Sequence, residues 1–455
     1  MKIFFSGIGG SGVSAIAGFM AGKGHAVFGS DRLFATVPDH PLKQMMEASG
    51  IRITPQDGSG IDRSFDAAVF STAVEKTNPD YVVAESLGVL MKTRPEYLAD
   101  IVAAFKTIAI AGTSGKSTTS GMLAYLMQRL GLAPNLIGGG RVKQFKTKTN
   151  PGNYIADNSD ILVVEACESD GSIVNYRPAH SIILNLDLDH HAIEDTARMF
   201  ETLSDHTSGV VLLNADDENL ARCRIRGAAT FSLDAPSEYQ AVNVHYHSFS
   251  TDFEVYGQEF SLSLPGRHNL YNALACISFL GEMEVPLQEI AAVLPEFSGI
   301  ERRFNIHLND GRHLVIDDYA HNPHKIRSLL QTMQPIAERI CYIFQPHGFG
   351  PTRLMKEEYV AAFTEGLRDG DRLVLLPIYY VGGTAAKDIS SEDLVIPVQA
   401  FGRTAVCVRD RKDVFAHLEG YDACVVFGAR DDTLADLAEE IAERVRASSN
   451  ASSAR

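Results

Sequence analysis

Gly112, Thr113, Ser114, Gly115, Lys116, Ser117 and Thr118 form an unbroken run of glycines, hydroxyls and one lysine. Glycines let backbone N–H groups approach phosphate oxygens, a lysine neutralises the outer phosphates, and a hydroxyl can ligate Mg2+. The chemistry suggested is the binding of a nucleoside triphosphate. The strict GxxxxGK[ST] spacing is not met, because Ile110 stands where the first glycine belongs. A strand-to-helix turn with an incidental lysine is the alternative. A second turn, Gly7, Gly9, Gly10 and Gly12, is close to GxGxxG, with Ser30 and Asp31 at the end of the next expected strand. That pattern is compatible with a dinucleotide site, a nucleotide-sugar pyrophosphate site or a structural turn. Two turns of this kind suggest two phosphorylated ligands.

Carboxylates lie downstream. "EACESDGS" places Glu165, Glu168 and Asp170 just past a buried strand, where a carboxylate could hold Mg2+ against a triphosphate. "NLDLDHH" sets Asn185, Asp187, Asp189, His190 and His191 beyond the next strand. Helix caps and solvated loops are the alternative for each cluster, but both following a phosphate loop favours a metal–nucleotide site. Arg267, Arg302 and Arg303 each fit a surface charge when taken singly. "DDYAHNP" is denser: Asp317, Asp318, Tyr319 and His321 follow a buried strand, and Pro323 can open the next helix. Loop chemistry of that density indicates binding.

The elements that must position these groups are apolar runs of four to six residues alternating with helix-period segments. Examples are "KIFFSG", "TIAIAG", "ILVVEA", "SIILNL", "HLVIDD" and "ACVVFG". This is the pattern of an α/β chain with parallel sheets and crossover helices, which bind ligands outside the carboxyl ends of the strands. A length of 455 residues predicts about two to four domains. "TRPEYLADIV", where Pro95 follows a strand-like run, and "EFSGIERRF" divide the chain into spans 1–95, 96–299 and 300–455. The tail "ASSNASSAR" is expected to fray. A net charge of -16 argues against a nucleic-acid partner, because phosphate binding on that scale needs clustered cations. Six cysteines without a CxxC pair give neither a zinc site nor a disulfide framework, which suits a reducing cytoplasm. No apolar run approaches the roughly 20 residues that cross a bilayer, and the N-terminus leads straight into a strand. A soluble cytoplasmic protein without membrane insertion is expected.

In this order, "GIGGSGVSAIA", "GTSGKSTT", "EACESDGS", "NLDLDH", "PGRHNLYNALA", "RRF", "DDYAHNP" and "FQPH" resemble the ATP-dependent Mur ligases of bacterial cell-wall synthesis. The resemblance runs from about Lys2 to Asp431. Within the family it is most similar to the branch that joins L-alanine to UDP-N-acetylmuramate.

It implies an N-terminal Rossmann-like domain (1–95) for the UDP-sugar and a central P-loop ATPase-type parallel sheet (96–299) for ATP. A C-terminal Rossmann-like domain (300–455) would bind the incoming amino acid and close on ATP. The implied reaction phosphorylates a carboxylate to an acyl phosphate, which an amine then attacks to give an amide. Gly7, Gly9, Gly10, Gly12, Ser30 and Asp31 would hold the UDP-sugar. Gly112 to Thr118 would hold ATP, with Asn272, Arg303, Asp318 and His321. Lys116, Glu165, His190 and Arg303 would be catalytic, and Ser117, Glu165 and His190 would hold Mg2+, or Mn2+ in its place. His347, Arg327 and Arg353 would bind the acceptor. The implied partners are UDP-N-acetylmuramate or a related UDP-sugar and an amino acid or short peptide, on a monomer or dimer. Losing Lys116 or Glu165 is expected to impair turnover far more than folding.

The sequence departs from the family pattern on the acceptor side. "FQPHGFGPTRLM" stands where an arginine-rich run is usual, with Gly348 and Gly350 in it and Arg353 as the nearby arginine. Asn322 replaces a histidine, and Arg430 replaces a glycine. A paralogous ligase taking a recycled peptide or an unassigned amino acid is therefore an alternative. A non-catalytic sensor of UDP-sugar and ATP is another, although it would be expected to have lost Lys116, Ser117 or Glu165. A nicotinamide-dependent oxidoreductase would use the first turn and leave the rest idle.

Overall fold

Every quoted apolar run forms a strand in the computed structural model, which describes residues 1–188, 191–380 and 386–453, the last six by backbone alone. The chain divides into two units, Met1–Ile300 and Glu301–Arg455. The first unit opens with a five-stranded, wholly parallel sheet. Its order is Arg52–Thr54, Ala26–Ser30, Lys2–Ser6, Ala67–Phe70, Met91–Thr93. Ile3, Phe4 and Phe5 of the central strand are fully buried. This is why the run is continuously apolar: helices cover both faces, so neither is left to be polar.

An eight-stranded sheet follows, with Lys106–Ala111 between His180–Ile183 on one side and Ile161–Glu165 on the other, both parallel to it. Only the edge pair Asn135–Ile137 and Tyr154–Ile155 is antiparallel among its described pairings. Helices Lys116–Arg129 and Arg267–Glu282 share one core with this sheet, in which Met122, Leu123, Leu126, Leu274 and Ile277 are fully buried. Each such side chain is worth about 1.5–3 kcal/mol in area removed from water.

A three-stranded antiparallel meander, Val242–Tyr246, Thr251–Val255 and Gln258–Leu262, was not anticipated. Its signal is present in the sequence. Thr251–Val255 alternates buried and half-buried positions as a one-faced strand does, and Tyr256 and Gly257, both at positive φ, make the two-residue turn.

The second unit is a six-stranded sheet in the order Asn305–Asn309, Leu314–Asp318, Ala423–Phe427, Ile340–Phe344, Arg372–Leu375, Ala405–Cys407. It is parallel except at its first edge. Helix Pro323–Met333 opens as its sequence suggests, with Pro323 at the first position and the Asn322 side chain accepting the Lys325 N–H at 2.9 Å. Helix Leu434–Ser453 runs into the tail that was expected to fray. Among the described residues no helix is long and apolar enough to cross a membrane, and no three His, Cys, Asp or Glu side chains cluster as a metal site.

Candidate active site

The second glycine turn leaves the carboxyl end of Lys106–Ala111 and enters helix Lys116–Arg129. Gly115 makes that entry at φ +86°, and a Cβ there would fall 2.4 Å from Asn272 Oδ1, so a side chain is excluded on both counts. Lys116 is only 9% exposed and Glu168 2%. Lys116 Nζ lies 2.8 Å from Glu168 Oε2 and donates to the Gly112 carbonyl at 2.5 Å. Burial pulls the lysine pKa down, but Glu168, then Cys167 and Glu165, outweigh it and leave the pKa raised.

Ser117 Oγ donates to Glu165 Oε2 at 2.9 Å, and the Gly139 N–H reaches the same oxygen at 2.8 Å. A Cβ on Gly139 would stand 2.7 Å from that carboxylate. Asn185 holds the turn in shape. Its Oδ1 accepts from Thr113 Oγ1 at 2.9 Å and the Ser114 N–H at 2.8 Å, and its Nδ2 donates to the Ser114 carbonyl at 3.0 Å. A hydroxyl and a carboxylate thus meet at a helix N-terminus beside a lysine. That oxygen-only donor set suits a hard cation such as Mg2+, and the uncapped first turn suits phosphate, so the residues fit ATP with Mg2+.

Asn272, expected at the adenine, is buried beneath the turn and accepts from Thr119 Oγ1 at 3.2 Å. His190 lies outside the described residues. Glu168 and Asn185 were named with the strand-end clusters but given no individual role, and Gly139 was not among the site candidates. For Gly139 the glycine triplet "IGGGR" was the available signal of close approach.

At the first turn, Asp31 Oδ2 accepts the Gly9 N–H at 2.8 Å, and its Oδ1 accepts the Leu33 N–H at 2.9 Å, capping helix Arg32–Thr36. Helix Ser11–Gly22 begins after Gly10 with no side-chain cap, leaving first-turn N–H groups available to an anion. Ser30 is not on that surface. It is fully buried, and its hydroxyl bonds Asp80 beneath the turn.

In the second unit the adjacent carboxylates separate. Asp317 is fully buried, 3.3 Å from Arg302 Nε and 2.6 Å from His307 Nε2. Arg302 also donates to the Asp431 and Gly428 carbonyls at 2.9 Å each, so it is committed to the fold. Arg303 lies over the Tyr319 ring at 5.0 Å. Asp318 accepts the Phe304 and Ala320 N–H groups at 2.7 Å each, and burial raises its pKa against those bonds and Arg303.

His321 meets Tyr319 and His347 edge-on, at 5.5 and 5.3 Å. Burial, with Lys325, His347 and Arg303 adding to it, holds its pKa well below the usual histidine value, so the ring is neutral at pH 7. His347 therefore shares a cluster with His321. Arg327 pairs with Glu365 and Arg353 with Asp388, which ties both to surface carboxylates. Arg430 sits at φ +71°, and its N–H reaches Tyr319 Oη at 3.4 Å. The family's usual glycine suits that left-handed backbone, where another residue costs about 1–2 kcal/mol.

Three family profiles cover nearly the whole chain. They are a "Mur ligase family, catalytic domain" over residues 2–106, a "Mur ligase middle domain" over 110–280 and a "Mur ligase, glutamate ligase domain" over 302–430. A UDP-N-acetylmuramate–L-alanine ligase of Geobacter sp. strain M21 is 32% identical over 435 residues, covering 92% of this chain and 91% of the relative. The crystal structure of a UDP-N-acetylmuramate-alanine ligase from Thermotoga maritima matches with a TM-score of 0.81 and 27% identity, over 98% of this chain and all of the other. A UDP-N-acetylmuramate:L-alanyl-γ-D-glutamyl-meso-diaminopimelate ligase from Neisseria meningitidis matches with a TM-score of 0.56 and 25% identity, over 66% of this chain and 99% of the other. The chain belongs to the Mur ligase family of ATP-dependent ligases.

Proposed function

We propose that this ligase joins L-alanine to the carboxylate of UDP-N-acetylmuramate in the cytoplasm, in the synthesis of peptidoglycan. The reading rests on one observation above the rest: Lys116, Ser117 and Glu165 meet at one turn, in a chain similar along its length to ligases named for that reaction. The assignment of domains follows it. Residues 1–95 take the UDP-sugar, 96–299 take ATP, and 300–455 take the amino acid.

When bound, ATP with Mg2+ supplies the phosphoryl group that turns a carboxylate, a poor electrophile, into an acyl phosphate that an amine can attack. The protein positions the reactants and offsets negative charge. Lys116 would exchange Glu168 and the Gly112 carbonyl for the outer phosphates. Ser117 and Glu165 would supply oxygens to the metal, with His190 assigned to a second one. Asn185 would keep Thr113 and Ser114 in place through that exchange. Arg303, Asp318 and His321 are assigned to the nucleotide and His347 to the acceptor.

A second reading takes the same activation chemistry to a different acceptor, such as a short peptide. Gly348 and Gly350 stand where the family's arginine-rich run is usual, and the arginines nearest in role, Arg327 and Arg353, are paired with Glu365 and Asp388.

Phosphate release from ATP, Mg2+ and UDP-N-acetylmuramate, screened over single amino acids and short peptides with products weighed by mass spectrometry, separates the readings. Release that needs L-alanine and gives the alanyl product supports the first. Release with a peptide alone replaces it with the second, and no release with any acceptor removes both.

A further inference from the structure

The first glycine turn has no cation of its own, since none lies between Gly7 and Ser14. One arrives from elsewhere. Arg94, the first residue of helix Arg94–Ala104, crosses Gly12: a Cβ there would lie 3.4 Å from Arg94 Cδ and 3.7 Å from its Nη1. The guanidinium therefore stands beside the uncapped first turn of helix Ser11–Gly22, where two positive ends face one another. Asn153, 2% exposed, donates to the Ser11 carbonyl and Ser14 Oγ of that same turn, both at 3.2 Å, and its Oδ1 has no hydrogen-bond partner. The Asn153 oxygen beside the turn is thus short of a donor.

The counter-charge present is Asp170, which pairs with Arg94. Both side chains are about one-fifth exposed, at 19% and 21%, so the pair is open to exchange. Asp170 belongs to the segment that carries Glu165 and Glu168, the carboxylates beside Ser117 and Lys116. We propose that Arg94 is a binding residue for the diphosphate of the nucleotide sugar, and that Asp170 holds it in reserve. Diphosphate and Asp170 compete for one guanidinium, so filling the first turn releases Asp170. The inference rests on the proposed function for the identity of the sugar, but not for the diphosphate chemistry.

The test is calorimetric titration of the full chain with UDP and with UDP-N-acetylmuramate. Arg94→Gln should weaken both by about 10- to 100-fold, the loss of one charged hydrogen-bonding partner. Arg94→Lys should recover part of that loss. Asp170→Asn should move the other way and tighten both several-fold, because a competitor is removed. A pair that is only structural would weaken binding in both variants alike or leave it unchanged, and either result overturns the proposal. Opposite shifts with UDP, in a protein that ignores UDP-N-acetylmuramate, would uphold Arg94 and remove the proposed sugar. Failure of the wild-type chain to bind either compound would remove both.

Discussion

The two glycine turns of the first unit share a plan. Each leaves an interior strand that has parallel neighbours on both sides and enters a helix whose first turn has no side-chain cap. They differ in where the positive charge comes from. The turn at Gly112–Ser117 carries its own lysine, buried and matched by Glu168. The turn at Gly7–Gly12 borrows Arg94, paired with Asp170, from the helix that leads out of its sheet. A built-in cation makes a site whose chemistry and folding are inseparable. A borrowed one makes a site whose charge can be contested.

The sharpest way to break this contrast is Lys116→Ala. Turnover should fall by at least about 10^2- to 10^3-fold, the scale of losing one charge-stabilising group. Unlike the expectation from sequence, folding should suffer too, because Glu168 is left buried and unpaired, at a cost of about 3–5 kcal/mol. Denaturant melts should show that loss, and the added change Glu168→Gln should relieve much of it without restoring turnover. Unchanged stability in Lys116→Ala would mean the pair is not maintained in solution.

Asn185→Ala comes next. It removes the bonds that fix Thr113 and Ser114, leaving the Ser114 N–H without its acceptor, and should cost about 1–3 kcal/mol. The KM for ATP should rise while affinity for the UDP-sugar holds. At the other turn, Asp31→Ala loses a helix cap worth about 1 kcal/mol and frees the Gly9 N–H. Its effect should fall on UDP-sugar affinity and leave ATP affinity alone.

At neutral pH Glu168→Gln should change ATP affinity least, although it leaves Lys116 buried without its carboxylate and so lowers stability; its effect on binding appears on alkaline titration. In the wild type the Lys116 pKa is raised above its usual 10.5, so its charge is lost only as pH rises through that higher value. Without Glu168 the lowering effect of burial is opposed only by Cys167 and Glu165, so the lysine gives up its proton at a lower pH than in the wild type. ATP affinity should then begin to fall at a lower pH than in the wild type, whereas UDP-sugar affinity should not acquire that loss. Binding titrations across pH 7 to 10 would show whether the two turns part in this way.

What could be read from the sequence follows the same division between local and distant. Lys116, Ser117 and Glu165 were legible because a phosphate loop and a strand-end carboxylate are contiguous or placed by a strand register. The parallel sheets were legible because strands buried on both faces read as unbroken apolar runs. Arg94 was read only as part of a domain boundary, since Gly12 and Asp170, which give it meaning, lie far from it along the chain. Ser30 was read as part of the turn because a strand-end position does not reveal which way its side chain points, and here it points inward to Asp80. Arg302 and Arg303 are adjacent and look alike. Their roles separate only in three dimensions, where Arg302 takes positive φ and spends its guanidinium on Asp317 and two carbonyls.

The most direct test of two turns for two ligands is a crossed binding experiment. ATP with Mg2+ and UDP-N-acetylmuramate would each be titrated separately into the wild type, Lys116→Ala/Glu168→Gln and Arg94→Gln. The account predicts that the double variant loses ATP and keeps the UDP-sugar, while Arg94→Gln weakens the UDP-sugar and keeps ATP. Loss of both ligands in either variant, or loss of the UDP-sugar on removing Lys116, would contradict it.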